Sequence, residues 1–179
     1  PKFVLGESYG SIRAAVLPRA LMGGPIYTGL MRGITLDGII LLGTTLDARQ
    51  AAGVEVPAAL AAAKQARSLP GIVATSVFHG LTDVAPEDAV QAYRQAEVYA
   101  RDTYEPALRR QLEGTLEPEA RSEVLRELSA MTGVAESDIG EDLHIDERSY
   151  AKVALRARGL EIGMYDSRYT LPLANSGGD

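Results

Sequence analysis

Gly6-Glu7-Ser8-Tyr9-Gly10 stands out as a segment whose residue types and spacing suit covalent chemistry. A serine between glycines placed two residues to either side fits a nucleophile elbow. In such a turn the hydroxyl sits at the tip of a tight strand-to-helix junction, and its neighbours two residues away pass close to the backbone. The N–H of the next residue, Tyr9, faces the oxygen on which negative charge develops, and the helix N-terminus adds a favourable field. The chemistry is attack of a hydroxyl on a carbonyl. A glycine-rich βα turn with no chemistry satisfies the same pattern. A phosphate-binding turn is a second alternative, but a P-loop needs Gly-Lys followed by Ser or Thr, and no lysine is present here.

Other candidates are weaker. His144 stands between Asp142 and Asp146, so Ser8, Asp142 and His144 follow the chain order of a hydrolase triad. Residues two apart on a polar segment are poorly placed both to orient an imidazole and to reach Ser8, so a solvated histidine is the expectation. His79 follows Val77-Phe78 and reads as a packing residue with cleft lining as the alternative. Asp166 and Arg168 read as a turn-stabilising pair, and Arg13 as a helix-surface or sheet-anchoring residue. Tyr93, Tyr99 and Tyr104 read as packing residues. The two histidines are far apart and cysteine is absent, so neither a metal site nor a cofactor is expected.

These residues need elements to hold them. Phe3-Val4-Leu5 reads as a strand, and from Ser11 the spacing of Ile12, Ala15 and Val16 is helical. Pro18 is expected to kink or shorten that helix, and Gly23-Gly24-Pro25 to end it. Residues 34–44 read as a second strand, apolar on both faces at Ile39-Ile40-Leu41-Leu42, as suits a parallel strand covered by helices. Strand, helix and strand then form a βαβ unit. After Asp47 helices take over. They are expected at 56–69, at 70–79, at 86–112 with a kink at Pro106, and at 118–131 with Gly133 as a stop. The acidic stretch 136–147 reads as a linker or short turn with a solvated face. Asp146 is expected to cap a last helix reaching Arg158 and closed by Gly159, before strand-like residues from Glu161 to Thr170.

The chain has 179 residues, 46% of them hydrophobic, enough for one domain with a core. A net charge of −6 argues against a nucleic-acid partner. No apolar run approaches the roughly 20 residues that span a bilayer, and no membrane partner is expected. The absence of cysteine assigns no compartment. The opening on Pro1-Lys2-Phe3-Val4-Leu5, with no Met and no lead-in, reads as a cut chain.

Gly-Glu-Ser-Tyr-Gly with Arg13 one turn on resembles the serine carboxypeptidase family, peptidase family S10, above all its bacterial members. The resemblance continues through Leu36-Asp37-Gly38-Ile39-Ile40-Leu41, Leu69-Pro70, Ala74-Thr75-Ser76-Val77-Phe78-His79-Gly80, Thr132-Gly133-Val134, Leu143-His144-Ile145-Asp146 and Gly163-Met164-Tyr165-Asp166-Ser167-Arg168-Tyr169. It covers most of the chain, although only the elbow is chemically sharp.

The fold implied is α/β: part of an α/β-hydrolase, a parallel-sheet βαβ with its elbow, plus a mainly α-helical cap insertion. Residues 1–47 would belong to the core, 48–159 to the cap, and 160–179 to a segment returning toward the core. The resemblance implies that Ser8 is the acylated nucleophile and Tyr9 a backbone oxyanion donor. Glu7 would help hold the terminal carboxylate of a peptide substrate through a proton shared with a second acid. That second acid, the glycine-rich oxyanion loop and the catalytic Asp and His find no match here. They are expected outside residues 1–179, which leaves this chain inactive by itself. An esterase or acyltransferase of the same fold, or a non-catalytic helical cap or binding module, are the alternatives. The resemblance leans toward a secreted or periplasmic location. A two-stranded parallel piece is also expected to self-associate through its open edges.

Overall fold

The computed structural model describes residues 1–22, 35–44 and 55–173. They form a mixed helix and sheet structure in which helices predominate and two small sheets appear. The chain divides into two compact units, Pro1–Glu55 and Val56–Asp179.

In the first unit, β1 (Phe3–Glu7) and β2 (Gly38–Leu42) pair in parallel, with Phe3 opposite Gly38 and Glu7 opposite Leu42. Helix α1 (Tyr9–Met22) follows β1 directly. The strand runs two residues beyond the expected Leu5 and the helix starts two before the expected Ser11, so the turn between them shrinks to Ser8. Pro18 neither ends nor shortens α1, which continues to Met22. Its missing N–H removes one backbone hydrogen bond near the helix end. The expected stop at Gly23-Gly24-Pro25 lies outside the described residues, as does Ile34 of the expected second strand.

The inward face of α1 also differs from the apolar spacing. Ser11 and Ala14 are buried, while Ile12 and Val16 are exposed. The cause is the close packing of α1 on β1, since a Cβ placed on Gly6 would lie 2.7 Å from Cβ of Ala14. The strands keep apolar side chains open to solvent: Phe3, Leu5 and the run Ile39 to Leu42 are all exposed.

The second unit is built from α2 (Ala58–Ala66), α3 (Leu69–Phe78), α4 (Ala89–Tyr99), α5 (Glu105–Leu112), α6 (Pro118–Thr132), α7 (Glu136–Ile139) and α8 (Glu147–Val153). Strands β3 (Leu160–Ile162) and β4 (Thr170–Pro172) pair antiparallel. One core joins the helices through residues such as Leu69, Val77, Tyr104, Leu108, Leu128 and Leu155. The long helix expected at 86–112 opens with a 3-10 turn at Pro86–Asp88 and is interrupted by a π turn at Ala100–Tyr104. Pro106 has no N–H to offer the carbonyl one turn back, and the widened turn absorbs that defect by bonding Glu105 N–H to Ala100 O.

Gly133 stops α6 at φ 67°, and a Cβ there would lie 2.3 Å from the carbonyl oxygen of Leu81. Asp146 caps α8 as expected. It accepts from Ser149 N at 2.7 Å, while Ser149 Oγ accepts from Asp146 N at 3.1 Å. The α-helix ends at Val153 rather than Arg158, and a 3-10 turn at Arg156–Arg158 leads to Gly159 at φ 73°.

The acidic stretch 136–147 is more than a solvated linker. It contains α7, and Ile139, Leu143 and Ile145 are buried between its outward-facing acids. Leu143 takes φ 59°, and its carbonyl accepts the buried Tyr104 hydroxyl at 2.7 Å. Residues 160–173 belong to this unit as well, since Ile162 is part of its core and Leu160 packs against it. The boundary expected at 47–48 lies outside the described residues.

Ser76, fully buried on α3, joins three helices. Its Oγ lies 3.0 Å from Ile72 O, 2.7 Å from Thr132 O at the end of α6, and 2.7 Å from the Tyr150 hydroxyl on α8. A hydroxyl has one proton, so Ser76 donates to a carbonyl and accepts from Tyr150. Burial pushes the Tyr150 phenol up to about 12, which keeps it a neutral donor. Ser76→Ala should therefore lose about 1–3 kcal/mol, because it strands a buried phenol. Adding Tyr150→Phe should recover part of that loss. Urea unfolding of the two single variants and the double variant reads the coupling, and strictly additive losses would show that the contact contributes none.

Candidate functional site

Ser8 is the junction between β1 and α1. Its φ is 52°, the left-handed region that L-residues other than Asn and Asp avoid. The parallel ladder extends to it, with Ser8 N donating to Leu42 O at 2.9 Å. Ser8 O accepts from Ser11 N at 3.0 Å and from Ser11 Oγ at 2.5 Å. Ser11 Oγ also lies 2.7 Å from Oγ1 of Thr44, just beyond β2. Backbone bonds on both sides thus hold the strained residue, while its side chain stays exposed. The Tyr9 N–H opens the helix, where no carbonyl one turn back is available to it. Glu7, the last residue of β1, is also exposed.

The two glycines of the motif differ in role. A Cβ on Gly6 would lie 2.3 Å from Gly10 O, so no larger residue fits there. A Cβ on Gly10 would meet nothing within 4 Å among the described residues. The close approach expected on both sides of the serine is therefore a demand on Gly6 alone, and Gly10 contributes its carbonyl rather than its lack of a side chain. Arg13 is exposed and lies over the Tyr9 ring, with the guanidinium carbon 5.2 Å from the ring centre. Sequence reasoning missed Ser11 and Thr44. The only signal for Ser11 was a hydroxyl three residues after the nucleophile position.

The remaining candidates belong to the second unit and are engaged locally. His144 Nε2 lies 3.1 Å from Asp146 Oδ2, and His144 N donates to Asp142 Oδ1 at 3.1 Å. The ring therefore meets Asp146 rather than Asp142, which bonds only the backbone, and His144 is exposed as expected of a solvated histidine. His79 is half-buried, and its Nε2 donates to Ser167 O at 2.7 Å. The His79 carbonyl accepts from Arg158 at 2.9 Å. Tyr104 is fully buried, and burial raises its phenol, as it does that of Tyr99 with Glu127 nearby. Tyr93 is partly exposed.

Among the described residues no group of three or more His, Cys, Asp or Glu could hold a metal ion, and no helix is long and apolar enough to cross a membrane. Compared with known protein families, curated proteins and solved structures, the chain matches none of them.

Two outcomes follow from this geometry. Gly6→Ala should cost the first unit more than about 2 kcal/mol through its clash with the Gly10 carbonyl. Gly10→Ala should be neutral or stabilising by up to about 1 kcal/mol, as expected for alanine inside a helix. Hydrogen exchange of the β1 and β2 amides separates the two cases, and equal protection in both variants would refute the one-sided constraint.

Asp166 and Arg168 form the expected turn pair, with Arg168 N and Nε donating to Asp166 Oδ1 at 3.0 and 2.9 Å, and Nη2 to Oδ2 at 2.6 Å. The Arg168 side chain, with its backbone N–H, lowers the Asp166 carboxyl to about 2. A depressed acid adds stability above its unfolded value near 3.9 and loses it as pH falls toward the folded one. The 163–169 turn should therefore loosen as pH falls from about 4 to about 2, and Asp166→Asn should abolish that dependence. Carboxyl carbon shifts followed by NMR report the midpoint. A midpoint near 4 would mean the pair does not persist in solution.

Proposed function

We propose that this chain is the nucleophile-bearing part of a serine hydrolase of the carboxypeptidase type, with the α/β-hydrolase fold. The observation that carries the reading is the conformation of Ser8. A non-glycine residue at positive φ, alone between a parallel strand and a helix, is what an elbow demands and what an ordinary βα turn has no reason to keep. The resemblance around Gly6-Glu7-Ser8-Tyr9-Gly10 supplies the substrate class. The exposed apolar residues of β1 and β2 suit strands that are covered in a larger sheet.

On this reading Ser8 Oγ attacks the carbonyl of a C-terminal peptide bond while a histidine takes its proton. The resulting oxyanion is bound by Tyr9 N–H. Collapse expels the amine of the terminal residue, which leaves with the proton from the histidine. Water then cleaves the Ser8 ester and restores the hydroxyl. Glu7, sharing a proton with a second acid from outside residues 1–179, would hold the carboxylate of the departing residue, and because a fully ionised pair would repel it, activity should favour acid. The histidine, its aspartate partner and the other oxyanion donor would come from outside residues 1–179.

The test uses a longer protein that contains this sequence together with its flanking chain. Ser8→Ala should abolish turnover of a blocked dipeptide. Glu7→Gln should weaken the dipeptide more than a simple ester, which has no terminal carboxylate to hold. The 179 residues alone should show no appreciable turnover, since the loss of one oxyanion donor alone typically costs about a hundredfold to a thousandfold. Full activity in Ser8→Ala removes the serine mechanism. Equal losses on both substrates with Glu7→Gln favour an esterase or acyltransferase instead.

A further inference from the structure

We propose that the helical unit carries a binding site for a free amino acid with an apolar side chain, a site that does not depend on the Ser8 reading. The cavity, about 320 Å³, lies in the size range of small-molecule pockets. It is lined by the start of α3, the start of α8 and the chain just after β3, with Arg67, Gly71, Ile72, Glu147, Ile162 and Met164 among its walls.

Three features define the occupant. The first is charge. Arg67 and Glu147 line the same cavity without forming an ion pair with each other or with any other described residue. The fold brings the two segments together, because Ser68, next to Arg67, donates its hydroxyl to Glu147 Oε1 at 2.6 Å. A cation and an anion held apart at one cavity complement a molecule bearing both charges. The guanidinium suits a carboxylate, to which it can donate two parallel hydrogen bonds. The Glu147 carboxylate suits an ammonium.

The second feature is the apolar wall. Ile72 and Ile162 are buried, and Met164 lies beside them in the lining. These residues take an aliphatic or aromatic side chain.

The third is Gly71. Glycine inside a helix costs about 1 kcal/mol relative to alanine. A Cβ on Gly71 would meet nothing within 4 Å, as at Gly10, but Gly71 lines the cavity. What the missing side chain does is keep the cavity open.

The 179-residue chain, labelled with 15N, is titrated with L-leucine and L-phenylalanine and followed by NMR. At least one should give saturable shifts at the amides of Gly71, Thr75 and Ser167. N-acetyl-leucine, which lacks the ammonium, and leucinamide, which lacks the carboxylate, should each bind at least tenfold more weakly than leucine. Arg67→Gln and Glu147→Gln should each weaken leucine about tenfold, and Glu147→Gln should leave N-acetyl-leucine unchanged. Both side chains are exposed, so these variants keep the fold. Gly71→Leu fills the cavity and should abolish binding while leaving the unfolding temperature unchanged or raised. No saturation with either amino acid overturns the proposal. So does equal binding of leucine and its acetylated or amidated forms, or undiminished binding to folded Gly71→Leu.

Discussion

The second unit depends on one buried hydroxyl. Ser76 sits at the point where α3, the end of α6 and the middle of α8 meet, and it satisfies a carbonyl and a phenol that water cannot reach. A polar group in an apolar core is costly unless its partners are correctly placed, so this cluster favours one arrangement of the three helices over near alternatives. Apolar contacts between Leu69, Val77 and Leu128 would tolerate small slips of one helix along another. The Ser76 cluster does not. Because α8 is held in register, so is the cavity wall that its first turn provides.

Around Ser8 the constraint is on backbone rather than side chain. The side chain is exposed, while the peptide groups on either side are fixed by Leu42 and Ser11. The nucleophile proposed here would need this division of labour. Strain and hydrogen bonding set the direction in which the side chain leaves the main chain. The same turn makes Tyr9 the first residue of α1, whose N–H has no intrahelical carbonyl to bond.

Much of this is legible in the sequence where the signal is local. Pro118 and Gly133 bracket α6, Asp146 announces a cap, and Gly-Glu-Ser-Tyr-Gly places the junction at Ser8. The failures have a common cause, because each depends on what packs against the element. The inward face of α1 is chosen by contact with Gly6, so small Ser11 and Ala14 displace Ile12 and Val16. Ile139, Leu143 and Ile145 follow neither a helical nor a strand period, and among acids they look solvated until Tyr104 is seen to hold Leu143. Ser11 with Thr44, and Arg67 with Glu147, are joined only by the fold.

The parallel pairing of β1 with β2 also has a kinetic meaning. Parallel strands cannot be joined by a tight turn, and here Lys2 bonds Asp37, 35 positions away. Closing a loop of that length costs entropy before any ladder bond is made, whereas each helix of the second unit gains its bonds within a few residues. As the chain is synthesised, β1 precedes β2, and the ladder between them waits until the residues of β2 have followed. The turn at Ser8 therefore acquires its strain late: Ser8 has no Leu42 carbonyl to hold it until the ladder has closed.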